Sequence, residues 1–231
     1  RYVASGGSNG IPPSNLDAIY PDGGFAMMRN KWKYVNDTVQ LVLTSGFHSR
    51  THKHNDDLSV TLFGHGQPLL VDAGLYNYNY DSFGRKYVVS KRAHNSVMVD
   101  NKDTELIRKN IGKSGLTDYL FEKEISVVAG AHCLYPGIVH QRIVLYLKPW
   151  NFYLFDWVKG YKQHRFEQIF NFNPNLQCRE SEGKLHAALN GVDVLTITPL
   201  LQQAELQTIL VKSQRNPLRG WSSMDHGKLE P

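Results

Sequence analysis

The chain has 231 residues, 41% of them hydrophobic and 20% charged, which is the balance of a globular protein long enough to bury a sizeable core. Its net charge of +5 suits an anionic partner such as an acidic polysaccharide, yet Lys and Arg alternate with Asp and Glu, and no basic block or RNA-binding signature indicates nucleic acid. No apolar run reaches membrane-spanning length, and Cys133 and Cys178, only two and far apart, exclude a disulfide framework and read as buried free thiols.

Residues 1–24 are rich in Gly, Ser and Pro ("SGGSNGIPPSN", "YPDGG") and read as a linker or entry segment. The chain opens at Arg1 without a signal peptide, so a segment of a longer protein is expected. From Phe25 short runs alternate with Gly, Pro, Asn and Asp. In "TVQLVL" Val39, Leu41 and Leu43 share one face, the two-residue period of a half-buried strand. "SVTLFG", "PLLVDAG", "NSVMVD", "EISVVAGA", "IVHQRIVLYL" and "FYLFDWV" follow with strand-like length and β-branched or aromatic content. "FEQIFNFNP", with Phe166, Phe170 and Phe172 on one face, "VDVLTITPL" and "ELQTILV" complete the series. No sustained helical period and no internal repeat interrupts it. The expected fold is all-β, a large antiparallel β-sandwich over residues 25–231.

Polar chemistry concentrates between residues 48 and 100. "HSRTHKHNDDLS" carries His52, His54 and Asp56 at two-residue steps, Asp72 closes "PLLVDAG", and His94-Asn95 opens a strand. Imidazole and carboxylate are ordinary zinc ligands, and three of them leave a coordination position open. On a strand His52, His54 and Asp56 would share a face; in a loop they need not. A metallo-β-lactamase pattern fails because Asp57 stands where its last His is required, and a cupin pattern lacks the Glu after the second His. A non-haem iron triad of His54, Asp56 and His94 remains open as an oxygenase alternative. Arg85, Lys91 and Arg92 are candidates for contact with an anionic ligand, and Asn95 for substrate binding.

A resemblance covers more of the chain. "TSGFHSRTHKHNDDLSVTLFGHGQPLLVDAGLYNY", "SKRAHNSVMVDNKD", "FYLFDWVKGYKQHRFEQIFNFNP" and "GWSSMDHGKLEP" resemble, in order and spacing, the C-terminal β-sandwich of the heparinase II/III family of polysaccharide lyases. The resemblance implies that His54, Asp72 and His94 are metal ligands, usually of a largely structural zinc, and that His52 faces the substrate. Asp56 then orders the loop from behind the metal. A tyrosine after "VDAG" lines the family's site. Tyr76, Tyr78 and Tyr80 all qualify, with Tyr78 and Tyr80 as the catalytic candidates beside His52. Lys53 departs from the pattern, a bulky cation where a small residue is common.

The implied reaction is β-elimination at a uronic acid. A base removes the C5 proton, the neighbouring carboxylate is neutralised, and an acid protonates the leaving oxygen. The family places a helical toroid domain before the sandwich, supplying much of the cleft and a catalytic tyrosine. The chain is therefore expected to be half a cleft, able to hold metal but nearly inactive alone. The implied location is the bacterial periplasm or exterior. The alternative from another class is a non-catalytic glycan-binding module whose metal is structural.

Overall fold

The computed structural model describes residues 1–5, 7–33, 36–200 and 206–231. Strands β1 (Ala18–Tyr20), β2 (Phe25–Arg29), β3 (Gln40–Thr44), β4 (Ser59–Gly64) and β5 (Gln67–Leu70) form one antiparallel sheet in sequential order. A two-turn helix, α1 (Phe83–Val89), follows, capped at Ser82, whose side chain accepts the Arg85 N–H. After the short β6 (Val97–Val99), strands β7 (Ser114–Phe121), β8 (Ile125–His132), β9 (Val139–Leu147) and β10 (Asn151–Lys159) make a second antiparallel meander. β11 (Phe166–Gln168) returns to pair with β6, and β12 (Gln177–Ser181), β13 (Lys184–Leu189) and β14 (Val192–Ile197) form a third meander. A two-residue hairpin, Gln214–Arg215 with Leu218–Arg219, lies near the end.

The alternation of the strands builds the core. Ala26 and Met28 from β2, Leu41 and Leu43 from β3, and Val60 and Leu62 from β4 meet Val128, Val144 and Tyr146 from the second sheet. Ala187 from β13 joins the same cluster, with Cys178, Leu189, Val194, Leu195 and Ile197 packed against it. The expected sandwich is therefore present, with three meanders sharing one apolar interior. Residues of β9 alternate strictly: His140, Arg142, Val144 and Tyr146 are buried, while the residues between them are not. Two of those inward positions carry polar chemistry rather than apolar surface, and they lie beneath the site described below.

The structure differs from the expectations at several points. The 1–24 segment contains β1, and Asp17 beside it is buried, accepting the Arg29 N–H and the Ser126 hydroxyl and pairing with Lys148 at 2.6 Å. Those partners lie on three other parts of the chain, so packing extends into the stretch expected as linker. Phe166 is exposed while Phe170 and Phe172 pack on the core, because β11 ends at Gln168 and its alternation does not run on. Of "ELQTILV", Glu205 lies outside the described residues and 206–211 form no strand. Both cysteines are free, but Cys133 is exposed and Cys178 only half-buried.

Leu41 is 1% exposed at the centre of the first sheet. Leu41→Ala is expected to cost about 2–5 kcal/mol through lost transfer energy and the residual cavity, read as a lower urea midpoint with an unchanged slope.

Candidate functional site

Residues 45–58 form the loop between β3 and β4, and two of its residues hold the left-handed backbone region, His52 (φ 58°) and, at its exit, Leu58 (φ 60°). Such residues cost about 1–3 kcal/mol each and persist only where the surroundings over-determine them. The surroundings do so here. Asn55 is buried, its N–H and side-chain amide both donating to the Val89 carbonyl, while its Oδ1 accepts from the Thr104 N–H and hydroxyl. Arg50 Nε donates to the Leu106 carbonyl at 3.2 Å. The loop is thus tied both to the end of α1 and to the segment after β6.

On its outer side the loop presents His52 and His54 differently. His52 is exposed, its ring edge-on to Tyr78 with centroids 5.5 Å apart. His54 is half-buried and lies 5.5 Å, ring to ring, from His94. His94 is fully buried three residues before β6, and its Nδ1 meets Asp72 Oδ2 at 2.7 Å. Asp72 also accepts the Gly74 N–H at 2.8 Å. Burial, reinforced by the neighbouring His94, depresses the His54 imidazole to about 4, so it is neutral at physiological pH. Burial works against the Asp72 carboxylate, but the His94 hydrogen bond and charge outweigh it and hold the group below its usual range.

The donor set, two imidazoles and a carboxylate from three segments, fits zinc in its chemistry. The Nε2 of His94 is buried and has no hydrogen-bond partner among the described residues, an atom suited to a further ligand. As the side chains stand they are arranged for one another: Arg85 Nη1 is 3.0 Å from His54 Nε2 and Asp72 is on His94. Among the described residues no three His, Cys, Asp or Glu side chains are grouped to hold an ion.

The remaining expected site residues fall into two sets. Tyr78 and Tyr80 are 54% and 69% exposed, and both rings lie about 6 Å from the Arg85 guanidinium. Tyr76 instead packs inward on Phe83 and against Gly84, where any added Cβ would strike its ring at 2.4 Å. The expected anion and substrate contacts are largely interior. Arg85 is 2% exposed and faces His54 and the Leu75 carbonyl. Lys91 is fully buried on the Asp57 carbonyl, and Arg92 pairs with Glu167 at 3.3 Å. Asn95, also fully buried, staples the carbonyls of Val60 and Val71 with its amide and accepts the Asn171 N–H on its Oδ1. These residues build the floor of the site rather than its open face. Asp56 pairs with Lys53.

Beneath the loop runs a buried polar network. Arg142 grips Asp156 with two parallel bonds of 2.8 and 2.9 Å, and its Nη1 donates to the carbonyls of Leu58 and Asn95, both at 2.7 Å. His140 Nε2 meets the same carboxylate at 2.7 Å, and its Nδ1 lies 3.2 Å from His132 Nε2. The Leu134 N–H points at His132 Nδ1, so each ring accepts on Nδ1 and donates from Nε2, a chain that requires both imidazoles to be neutral. Burial, helped by the positive Lys91, pushes His132 well below its ordinary value. Burial also lowers His140, against the pull of Asp156, and the Arg142 charge and these bonds hold Asp156 far below the usual carboxylate range despite its burial.

Comparison with known proteins follows from this geometry. A family model described as heparinase II/III-like, C-terminal, matches residues 12–223. A heparinase III gene product of known structure superposes with a TM-score of 0.81 at 20% identity, covering 99% of this chain and 34% of that one. The heparan sulfate lyase HepC from Pedobacter heparinus gives 0.72 at 21% identity, over 82% of this chain and 29% of that one. A further heparinase III structure gives 0.67 at 18% identity, over 78% and 28%. This chain thus spans about a third of the length of the structures it matches. No curated protein sequence matches it.

The network sets an acid sensitivity. His132 and His140, neutral when folded, accept protons on unfolding below about pH 6.5, and the Asp156 contribution, complete above about pH 4, is lost below it. Urea midpoints should therefore fall steadily from pH 7 to pH 5 and further below pH 4; a flat profile would contradict the neutral histidine chain. Asp156→Asn at pH 7 is expected to cost about 3–5 kcal/mol, since it strands a buried guanidinium.

Proposed function

The chain belongs to the heparinase II/III-like family, as its C-terminal domain, and on that premise we propose that it is the sandwich half of a lyase acting on uronic-acid-containing polysaccharide by β-elimination. The observation that carries this is the position of His52. It is exposed, it stands against the exposed Tyr78, and it lies two residues from His54, which joins the fully buried His94 and its partner Asp72. In β-elimination the C5–H and C4–O bonds break and a C4=C5 double bond forms. His52 is suited to neutralise the substrate carboxylate or take the C5 proton, and Tyr78 to return a proton to the leaving oxygen. Tyr80 extends the same exposed aromatic surface, on which sugar rings can stack.

His54, Asp72 and His94 would hold a zinc ion, which when bound supplies a fixed positive charge and locks the three segments together. Arg85 keeps His54 oriented through its Nη1 contact. The heparan sulfate lyase named above suggests one substrate class, and the net charge of +5 suits any polyanionic uronate polymer. Since the chain spans only about a third of its structural relatives, the missing half of the cleft is assigned to a separate, upstream domain.

The full-length protein, mixed with heparan sulfate or alginate, should release unsaturated uronate ends detected by ultraviolet absorbance. His52→Ala should lower kcat by about 10²–10⁴-fold, the usual range for a lost general acid or base. Wild-type rates in His52→Ala would remove His52 from the chemistry. Binding without turnover by the full-length protein would favour a non-catalytic glycan-binding module instead.

A further inference from the structure

Lys53 lies between His52 and His54, and the structure turns it inward. Its side chain is 8% exposed, and its ammonium forms ion pairs with Asp56 and, at 2.9 Å, with Asp57 Oδ2, over the Phe47 ring. Asp57 is fully buried and joins four pieces of chain. Its carboxylate holds Lys53 and accepts the Gly46 N–H at 3.3 Å; its carbonyl accepts Lys91 Nζ at 2.7 Å and the Ser96 hydroxyl at 2.9 Å. Gly46 lies at the start of the histidine loop, Lys91 follows α1, and Ser96 leads into β6.

We propose that Lys53 is the positioning residue of the histidine loop: its inward ammonium, seated on Asp57, fixes the left-handed turn that presents His52 to the substrate. The assignment of substrate work to His52 rests on the proposed lyase function; the positioning itself does not. The geometry is direct. With Lys53 anchored below, the backbone on either side must turn, sending His52 outward to Tyr78 and His54 sideways to Arg85 and His94. Asp57 is the fixed end of that lever because Lys91 and Ser96 hold its carbonyl from a different part of the chain. A small residue at position 53 would leave the Asp57 carboxylate with the Gly46 N–H, and the turn at His52 with its backbone bond from Lys53 N–H to the Arg50 carbonyl but no side-chain anchor beneath it.

The test uses the full-length protein with Lys53→Met, Lys53→Arg and each of these combined with His52→Ala. Lys53→Met should lower kcat by about tenfold to a hundredfold, the usual effect of losing a supporting residue behind a functional one, with KM nearly unchanged. Lys53→Arg should recover part of that loss, and in the His52→Ala background Lys53→Met should cost nothing further. The double variant Lys53→Met, Asp57→Asn removes both ends of the buried pair; it should fold with near-wild-type stability and still show the low kcat. Independently of turnover, hydrogen exchange in peptides spanning 48–58 should accelerate in Lys53→Met while 139–147 keeps its protection. Unchanged loop exchange, or a loss of kcat that adds fully to that of His52→Ala, would overturn the proposal. Absence of turnover in the wild-type protein would defeat the lyase function and leave this proposal to be decided by exchange alone.

Discussion

One buried guanidinium holds the site together. Arg142, at an inward position of β9, is bidentate to Asp156 on the adjacent strand and reaches across the sandwich to the carbonyls of Leu58 and Asn95. Leu58 ends the histidine loop in a left-handed conformation, and Asn95 follows His94 directly. A single side chain therefore fixes the relative position of two of the three segments that supply the site. Taking this charge out of water is costly, and only a full set of partners makes it tolerable; Arg142 has the carboxylate and two carbonyls.

Above that brace the polar residues follow in layers. Arg142, Asp156, His140 and His132 form the first, Asp57, Lys91 and Asn95 the next, and Lys53, His54, Asp72 and His94 a third, where His94 is fully buried and the Asp72 side chain is 42% exposed. His52, Tyr78 and Tyr80 stand on top. Each layer takes its orientation from the one beneath, so a loop with two left-handed residues is held in one shape without a regular strand or long helix around it. The basic residues near the motif contact the protein's own groups: Arg85, Lys91 and Arg92 meet its carbonyls, an imidazole and a carboxylate.

Much of the sandwich was legible in the sequence because strand alternation is a local signal. β3, β4, β8, β9 and β10 lie where apolar residues recur at every second position. α1 escaped because two turns are too few to display a period, and β7 because "SGLTDYLF" is mostly exposed and carries a bulge at Leu116–Asp118. The three site segments were also visible, through the clustering of His and Asp. The network beneath them was overlooked, although a signal existed: His140 and Arg142 share strand parity with Val144 and Tyr146, and Asp156 with Leu154 and Val158. A charge on the apolar face of a strand implies a buried partner. Asp57 and Lys53 carried no comparable signal, since in "HKHNDD" nothing local distinguishes a carboxylate that turns inward from one that faces solvent.

The central claim is that the His-x-His pair divides its work, His54 belonging to a metal-binding cluster with Asp72 and His94 and His52 to the substrate side. Anomalous diffraction at the zinc edge, from crystals of the full-length protein grown with zinc, tests this most directly. The account predicts a peak coordinated by His54, Asp72 and His94, with the His52 ring outside the ligand set. A peak ligated by His52, or no ion among these residues at all, would contradict it.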